Sequence, residues 1–528
     1  MTRALMIMGT GSDVGKSIIA AGLCRIFHRR GIDVAPFKAQ NMSLNSFVTI
    51  DGGEMGRAQV LQAEACGLPP HVDMNPILLK PEADNCSQVV VHGKVWGKYD
   101  GRRYYARRDD LFRFVRESYD RLARDHDALV IEGAGSAAEV NLRGKDIVNW
   151  PVAEMADARV LLVADIDRGG VFAQAIGTLD LLCPEERRRL IGIVVNKFRG
   201  DPSLFSDGVR FLEERSRLPV LGVLPFLREL DLDQEDSVTI ERYRSNHFAP
   251  EKVNVAVVLL PHMSNFTDFN SLVAESDVAL RYARAPAELT GADVVIIPGT
   301  KSTIADFDYL EQNDFRPALE AHVSAGSELV GICGGYQMLG REISDPFGVE
   351  SGGKRVAFGL LKVTTELTAR KTTTQVEAQL VDGKAGTNEI VRGYEIHMGR
   401  TDRGHVAPRF RILCRLGRST AGMDIDCDDN TDGAISDDGR VWGTYIHGVF
   451  DQPGFRRHWL NQLRQRKGLE PLPASISENT TRRLADAIDR WADHLERHLD
   501  LAPIFSAVNF PYSQRNMGNQ VVTKSQTW

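Results

Sequence analysis

Short apolar runs alternate with longer segments of helical spacing along the first half of the chain. The runs "ALMIM" (4–8), "DVAPFKA" (33–39), "ALVIEGAG" (128–135), "RVLLVADI" (159–166), "IGIVVNKF" (191–198) and "VLGVLPF" (220–226) are dense in Val, Ile and Leu, with little polar alternation. A strand covered on both faces needs that pattern, and parallel strands flanked by helices are covered in this way. Between them, segments such as "SIIAAGLCRIFHRRG" (17–31) carry apolar residues at helical intervals and stop at glycine. The pattern predicts a doubly wound α/β domain over residues 1–235.

A polar stretch, "LDQEDSVTIERYRSNHFAPEK" (232–252), breaks the rhythm, and residues 236–251 read as a linker. A second strand series follows: "VNVAVVLLP" (253–261), "ADVVIIPGT" (292–300), "ELVGICGG" (328–335), "RVAFGLLKVTTEL" (355–367) and "RVWGTYIHG" (440–448). These predict a second α/β domain over 252–455. Residues 456–504 have amphipathic spacing and predict closing helices, whereas 505–528 are polar and aperiodic and predict a loose tail.

Composition narrows the partners. A chain of 528 residues is too long for one core. Acidic residues outnumber basic ones, 71 to 64, and no long basic run is present, which argues against a nucleic-acid or anionic-membrane partner. No uninterrupted apolar stretch approaches the roughly 20 residues of a membrane span, and the N-terminus carries no signal-peptide pattern. The seven cysteines are scattered without a C-x-x-C pair, so a reducing cytoplasm is the expected compartment. The acidic string "MDIDCDDNTDG" (423–433) lacks the glycine of a calcium loop and has Ile435 where its glutamate belongs, so it reads as a solvated loop.

Two strings carry chemistry. The first, "GTGSDVGKS" (9–17), follows a strand and opens a helix, placing backbone N–H groups around an anion. Gly9, Gly11 and Gly15 allow close backbone approach and Asp13 lies within the loop; Lys16 would meet the terminal phosphates of a nucleotide, and Ser17 would bind magnesium. The second, "GICGGYQMLG" (331–340), sets Cys333 on a tight strand-to-helix turn, with N–H groups available for an oxyanion. His447, ending the strand "WGTYIHGVF" (442–450), is the expected base. Gly299, Thr300 and Gly334 are candidate oxyanion donors, and Gln337 a pocket residue for glutamine.

The phosphate loop has one residue more than the common pattern, and in this it resembles the loop of dethiobiotin synthetase and its relatives, where ATP activates a carboxylate. By that resemblance Glu132, at a strand end, would help hold Mg2+, with Glu54 in "GGEMGRAQ" as a second acidic candidate. Asn196 and Lys197 would read the base, and Asp165 and Asp167 would touch magnesium or substrate. The cysteine string resembles the class I glutamine amidotransferases. Many of these carry Glu two residues after the histidine; here that position is Val449, so a Cys–His dyad is expected, with Glu395 and His397 as possible orienting groups.

The order of the two sites resembles the glutamine-dependent cobyrinate amidase family. "FKAQNMSLNSFVT" (37–49), "DGGEMGRAQ" (51–59) and "GYEIHMG" (393–399) resemble the branch that amidates the b, d, e and g carboxylates of adenosylcobyrinic acid a,c-diamide. The resemblance implies ATP and Mg2+ as cofactors, and glutamine and a corrinoid as substrates. Lys38, Gln40, Asn41, Ser43 and Asn45 would then line the substrate side. Rival readings are the a,c-diamide synthase, an enzyme amidating a cell-wall lipid precursor, and a partition-type ATPase switch whose second domain only binds.

Overall fold

The computed structural model describes residues 3–83, 86–227, 232, 247–381, 388–417 and 430–512. The expected linker (236–251) and the acidic string (423–433) fall largely outside them.

Six parallel strands form the first sheet, in the spatial order Val220–Pro225, Leu190–Phe198, Arg159–Asp165, Arg3–Gly9, Ala128–Glu132, Val34–Phe37. They coincide with the six apolar runs, and the centres of all but the edge strand Val220–Pro225 are buried. The first strand lies between two later ones, so the connections diverge there, and such a divergence leaves a crevice at the strands' carboxyl ends. The phosphate loop occupies that crevice.

A second parallel sheet runs Val278–Ala283, Val253–Val258, Val294–Ile297, Glu328–Ile332, Val441–Thr444, with the short strand Ala434–Ile435 antiparallel at its edge. The predicted strand over 355–367 is two separate ones, Gly353–Val356 and Thr364–Leu380. The second pairs antiparallel with Ile390–Asp402, whose edge in turn pairs with Ile446–His447.

The C-terminal helices do not form one unit. Pro453–Arg466 packs Phe455, Trp459, Leu460 and Leu463 into the second core. Thr480–His498 crosses back to the first, where Trp491 and Leu495 lie against helix Lys16–Arg29. Gly22 is required there, since a β-carbon on it would stand 2.4 Å from Leu495. The loose tail expected from 505 is corrected as far as 512. Ala502–Ala507 is helical, and Phe505 and Val508 are buried, because a local apolar cluster outweighs the polarity of the surrounding segment.

A short hairpin, Ser46–Val48 and Glu54–Gly56, joins the two halves. Gln375 donates to the Val48 carbonyl at 2.8 Å and Thr373 to that of Gly52 at 2.7 Å. Gly52 and Gly417 meet backbone to backbone; a β-carbon on Gly52 would fall 1.6 Å from the Gly417 oxygen, and both have φ near +77.

Candidate active site

The phosphate loop lies at the mouth of a cavity of about 1220 Å³, larger than most small-molecule pockets. Its walls come from the loop (Ser12, Asp13, Gly15–Ile18), from 38–42, from 132–150, and from Phe266, Asn270, Arg483 and Trp491. Gly15, at φ +99, turns the chain into the helix, and a β-carbon there would strike the Asn196 amide at 2.2 Å. Gly11 has open space where its β-carbon would be, leaving the loop backbone accessible.

Lys16 donates to the Gly11 and Gly135 carbonyls at 2.7 and 2.9 Å, spanning the space a phosphate would take. Ser17 Oγ donates to Glu132 Oε1 at 2.7 Å, while Gln62 reaches Oε2 at 2.6 Å and Lys38 Oε1 at 2.8 Å. Burial opposes ionisation of Glu132, but the adjacent Lys38 ammonium, with Ser17 and Gln62, keeps its carboxyl below the usual range. A hydroxyl and an ionised carboxylate side by side are hard oxygen donors suited to Mg2+, and buried Gln62 Oε1 beside them has no hydrogen-bond partner among the described residues. The residues therefore fit a magnesium nucleotide.

Several expected residues sit elsewhere or do other work. Glu54 does not reach this cavity. Lys80 holds one of its oxygens at 2.7 Å and Lys371 the other, and these ammoniums overcome burial to depress its pKa strongly. Glu54 is thus corrected from metal ligand to interior ion-pair partner. Asn196 donates to the Val14 carbonyl at 2.9 Å and accepts from Lys197 N–H, so it braces the loop rather than leaving its amide for a base. Lys197 Nζ pairs with Asp165 at 2.9 Å, and Asp167 pairs with Arg199. Lys38, Gln40 and Asn41, expected on the substrate side, line the cavity. Ser43 and Asn45 do not; Ser43 Oγ accepts from Asn45 N–H at 3.0 Å, and the Asn45 side chain turns to the second half of the molecule.

Cys333 separates strand Glu328–Ile332 from helix Gly334–Leu339 at φ 52, ψ −109, a backbone that L-residues seldom adopt. Such strain holds a nucleophile proud of its turn. Glycines make the turn possible: a β-carbon on Gly335 would lie 2.0 Å from the Ile297 oxygen, and one on Gly334 would lie 2.6 Å from Thr300. Gly299 lies between nucleophile and base, since its β-carbon would stand 2.9 Å from His447 Cε1 and 3.6 Å from Cys333 Cβ. Gln337 is fixed by Thr303 at 3.0 Å and Tyr445 at 3.2 Å.

The dyad expected from the missing glutamate is corrected to a triad. Asp268 Oδ2 lies 2.7 Å from His447 Nδ1, and its Oδ1 accepts Gly448 N–H at 2.9 Å. Burial would lower the imidazole pKa, but the Asp268 charge and bond, with Cys333 beside the ring, raise it to about 10. The ring is thereby disposed to hold a proton beside the Cys333 thiol. His447 Nε2 is buried and, among the described residues, has no hydrogen-bond partner. Glu395 is paired with Arg415, and burial pushes His397 down to about 4, so neither orients His447. Asp268 follows the end of strand Val253–Val258. Glu132 and His447 are the last residues of their strands, but Asp268 lies ten residues beyond Val258, and no spacing links it to His447. Asp432, read as solvated, is instead buried and bonded to Thr444 and Tyr445, and burial raises its pKa to about 7.

Family models divide the chain at the same two sites. Residues 5–240 match the CobQ/CobB/MinD/ParA nucleotide binding domain, and 254–455 the CobB/CobQ-like glutamine amidotransferase domain. Proteins named cobyric acid synthase are similar over nearly the full length. The one from Syntrophobacter fumaroxidans is 48% identical, covering 95% of this chain and 98% of its own. Those from Klebsiella pneumoniae and Citrobacter koseri are 48% and 47% identical, each covering 96% of this chain and 98% of theirs. With both reaction centres inside that span, the chain belongs to the cobyric acid synthase family.

Proposed function

We propose that this enzyme uses ATP and glutamine to amidate the b, d, e and g side-chain carboxylates of adenosylcobyrinic acid a,c-diamide, giving adenosylcobyric acid. The observation that carries the reading is one chain holding a Cys–His–Asp triad and a phosphate-loop cavity joined by a shared hairpin, within near-full-length similarity to cobyric acid synthases. In this reading residues 1–235 form the synthetase portion, 236–251 the linker and 252–455 the glutaminase.

A carboxylate is a poor acyl donor, so its oxygen first attacks the terminal phosphorus of ATP, releasing ADP and leaving an acyl phosphate. Lys16 and the loop N–H groups offset the charge that moves across the phosphates. Ser17 and Glu132 would hold Mg2+, which when bound neutralises phosphate charge. Lys38, Gln40 and Asn41 face the acid. In the second site the Cys333 thiolate attacks the glutamine amide carbon while His447 gives its proton to the departing nitrogen. Ammonia leaves, and Asp268 steadies the ring throughout. Water, deprotonated by His447, then hydrolyses the thioester to glutamate. Ammonia displaces phosphate from the acyl phosphate, forming the amide.

Mass spectrometry of the corrinoid after incubation with ATP, Mg2+ and glutamine tests the proposal. Four successive acid-to-amide conversions of the a,c-diamide are expected; an inert a,c-diamide, with two conversions of the unamidated acid instead, would replace it with the a,c-diamide synthase reading.

A further inference from the structure

The chain that leads into the hairpin joining the two halves starts at the phosphate cavity, and the hairpin itself packs beside the cysteine site. Just upstream of it, Gln40, Asn41 and Met42 line the phosphate cavity. Asn45 Oδ1 then accepts Phe266 N–H at 3.1 Å, and Asn265 Oδ1 accepts Ser46 N–H at 3.0 Å. This reciprocal pair is buried. Asn265, in the left-handed region at φ 53, opens the turn Phe266–Phe269 that carries Asp268. The hairpin also reaches the imidazole from its face: the Ser46 carbonyl accepts from the Tyr394 hydroxyl at 3.0 Å, and the Tyr394 ring stacks on His447 at 5.4 Å. Phe47 packs edge-on against that tyrosine at 5.2 Å.

One segment therefore contacts the immediate neighbours of both Asp268 and His447: the turn that carries the carboxylate and the tyrosine stacked on the imidazole. A contact serving adhesion alone could fall anywhere on this interface; these fall two residues from Asp268 and on the tyrosine that stacks on His447. We propose that Asn45 and Asn265 are positioning residues for glutamine hydrolysis, setting the Asp268 turn according to the state of the 40–57 segment. Filling of the phosphate cavity then raises the glutaminase rate. The Asp268–His447 bond is short and buried, and a displacement well under 1 Å is enough to weaken such a bond. This inference rests on the functional reading above for the identity of the cavity's occupants.

The test uses the full chain and four variants. Asn45→Ala removes one acceptor, and Asn265→Gly removes the other while preserving the left-handed backbone. Asn45→Asp and Asn265→Asp keep the acceptor oxygen. Glutamate release is measured with glutamine alone and with ATP, Mg2+ and the corrinoid acid added, beside ammonium-driven amide synthesis. Wild type is expected to accelerate on addition. Asn45→Ala and Asn265→Gly should lose that acceleration and about tenfold in kcat for glutamine, with KM nearly unchanged. Ammonium-driven synthesis should persist, and the Asp variants should recover most of the rate.

Unchanged glutaminase in the Ala and Gly variants, an equal fall with both nitrogen sources, no rescue by Asp, or a wild type indifferent to ATP and acid would each overturn the proposal. Failure of the functional reading looks different: wild type then forms no amide from either nitrogen source. The rates with glutamine alone still decide whether the two asparagines position the triad.

Discussion

The two reaction centres are built in opposite ways. The cysteine site is small and already assembled: Cys333, His447 and Asp268 are all buried, and the strained turn is locked by glycines against its neighbours. The phosphate site is a wide cavity whose walls come from many separate parts of the chain, and its Lys16 rests on backbone carbonyls. The difference follows from what each must handle. Glutamine is small, and its hydrolysis needs a thiolate held in one geometry. Activation of a large acid by a nucleotide needs room for two bulky molecules and a backbone cradle that pays its cost only through bound phosphate.

The largest effect separates the sites outright. Cys333→Ala should lower glutamine-driven synthesis roughly 10⁴-fold or more, yet leave ammonium-driven synthesis in place, assayed by amide formation with each nitrogen source. Loss of both would erase the division. Next, Lys16→Ala should lower synthesis about 10²–10³-fold with either source, while glutamate release from glutamine alone continues. Normal ammonium-driven synthesis in that variant would contradict the phosphate assignment.

Asp268→Asn should cost roughly 10²-fold in glutaminase rate, and it sharpens the contrast through pH. Removing that charge lowers the His447 pKa from about 10, so the alkaline fall of the glutaminase profile should move to lower pH. Stability follows the same sign. A ring that binds its proton more tightly folded than unfolded adds stability in full below its ordinary pKa of 6.5, and loses it as pH rises through about 10. Denaturant titrations across that window should show a weaker pH dependence in Asp268→Asn. The smallest expected effect on chemistry is that of Glu54→Gln. The magnesium requirement should not change, although leaving Lys80 and Lys371 without their buried partner should destabilise the fold by about 3–5 kcal/mol. A raised magnesium requirement would return Glu54 to the metal site.

Much of this was legible beforehand, for reasons that differ by element. The six buried strands announced themselves because a doubly covered strand tolerates few polar residues. The phosphate loop and the cysteine turn were legible because each packs its chemistry into about ten consecutive residues, whose glycines are dictated by close approach. Asp268 was not, since it meets His447 across 179 positions with only a hydrogen bond to link them. Glu54 misled for the converse reason. An acidic residue near a phosphate loop in sequence suggests a metal ligand, and only the packing shows two lysines closing on it. Asn45 likewise reads as a polar loop residue until Phe266 is seen at its oxygen.

By itself, then, the sequence determined the two α/β halves, the nucleophile, its base and the phosphate cradle, because local periodicity and backbone sterics are written in neighbouring residues. Tertiary structure alone decided the third member of the triad, the return of the last helices to the first core and the hairpin that joins the sites. These depend on contacts between distant segments, where burial and hydrogen-bond satisfaction select the partner and spacing along the chain carries no signal.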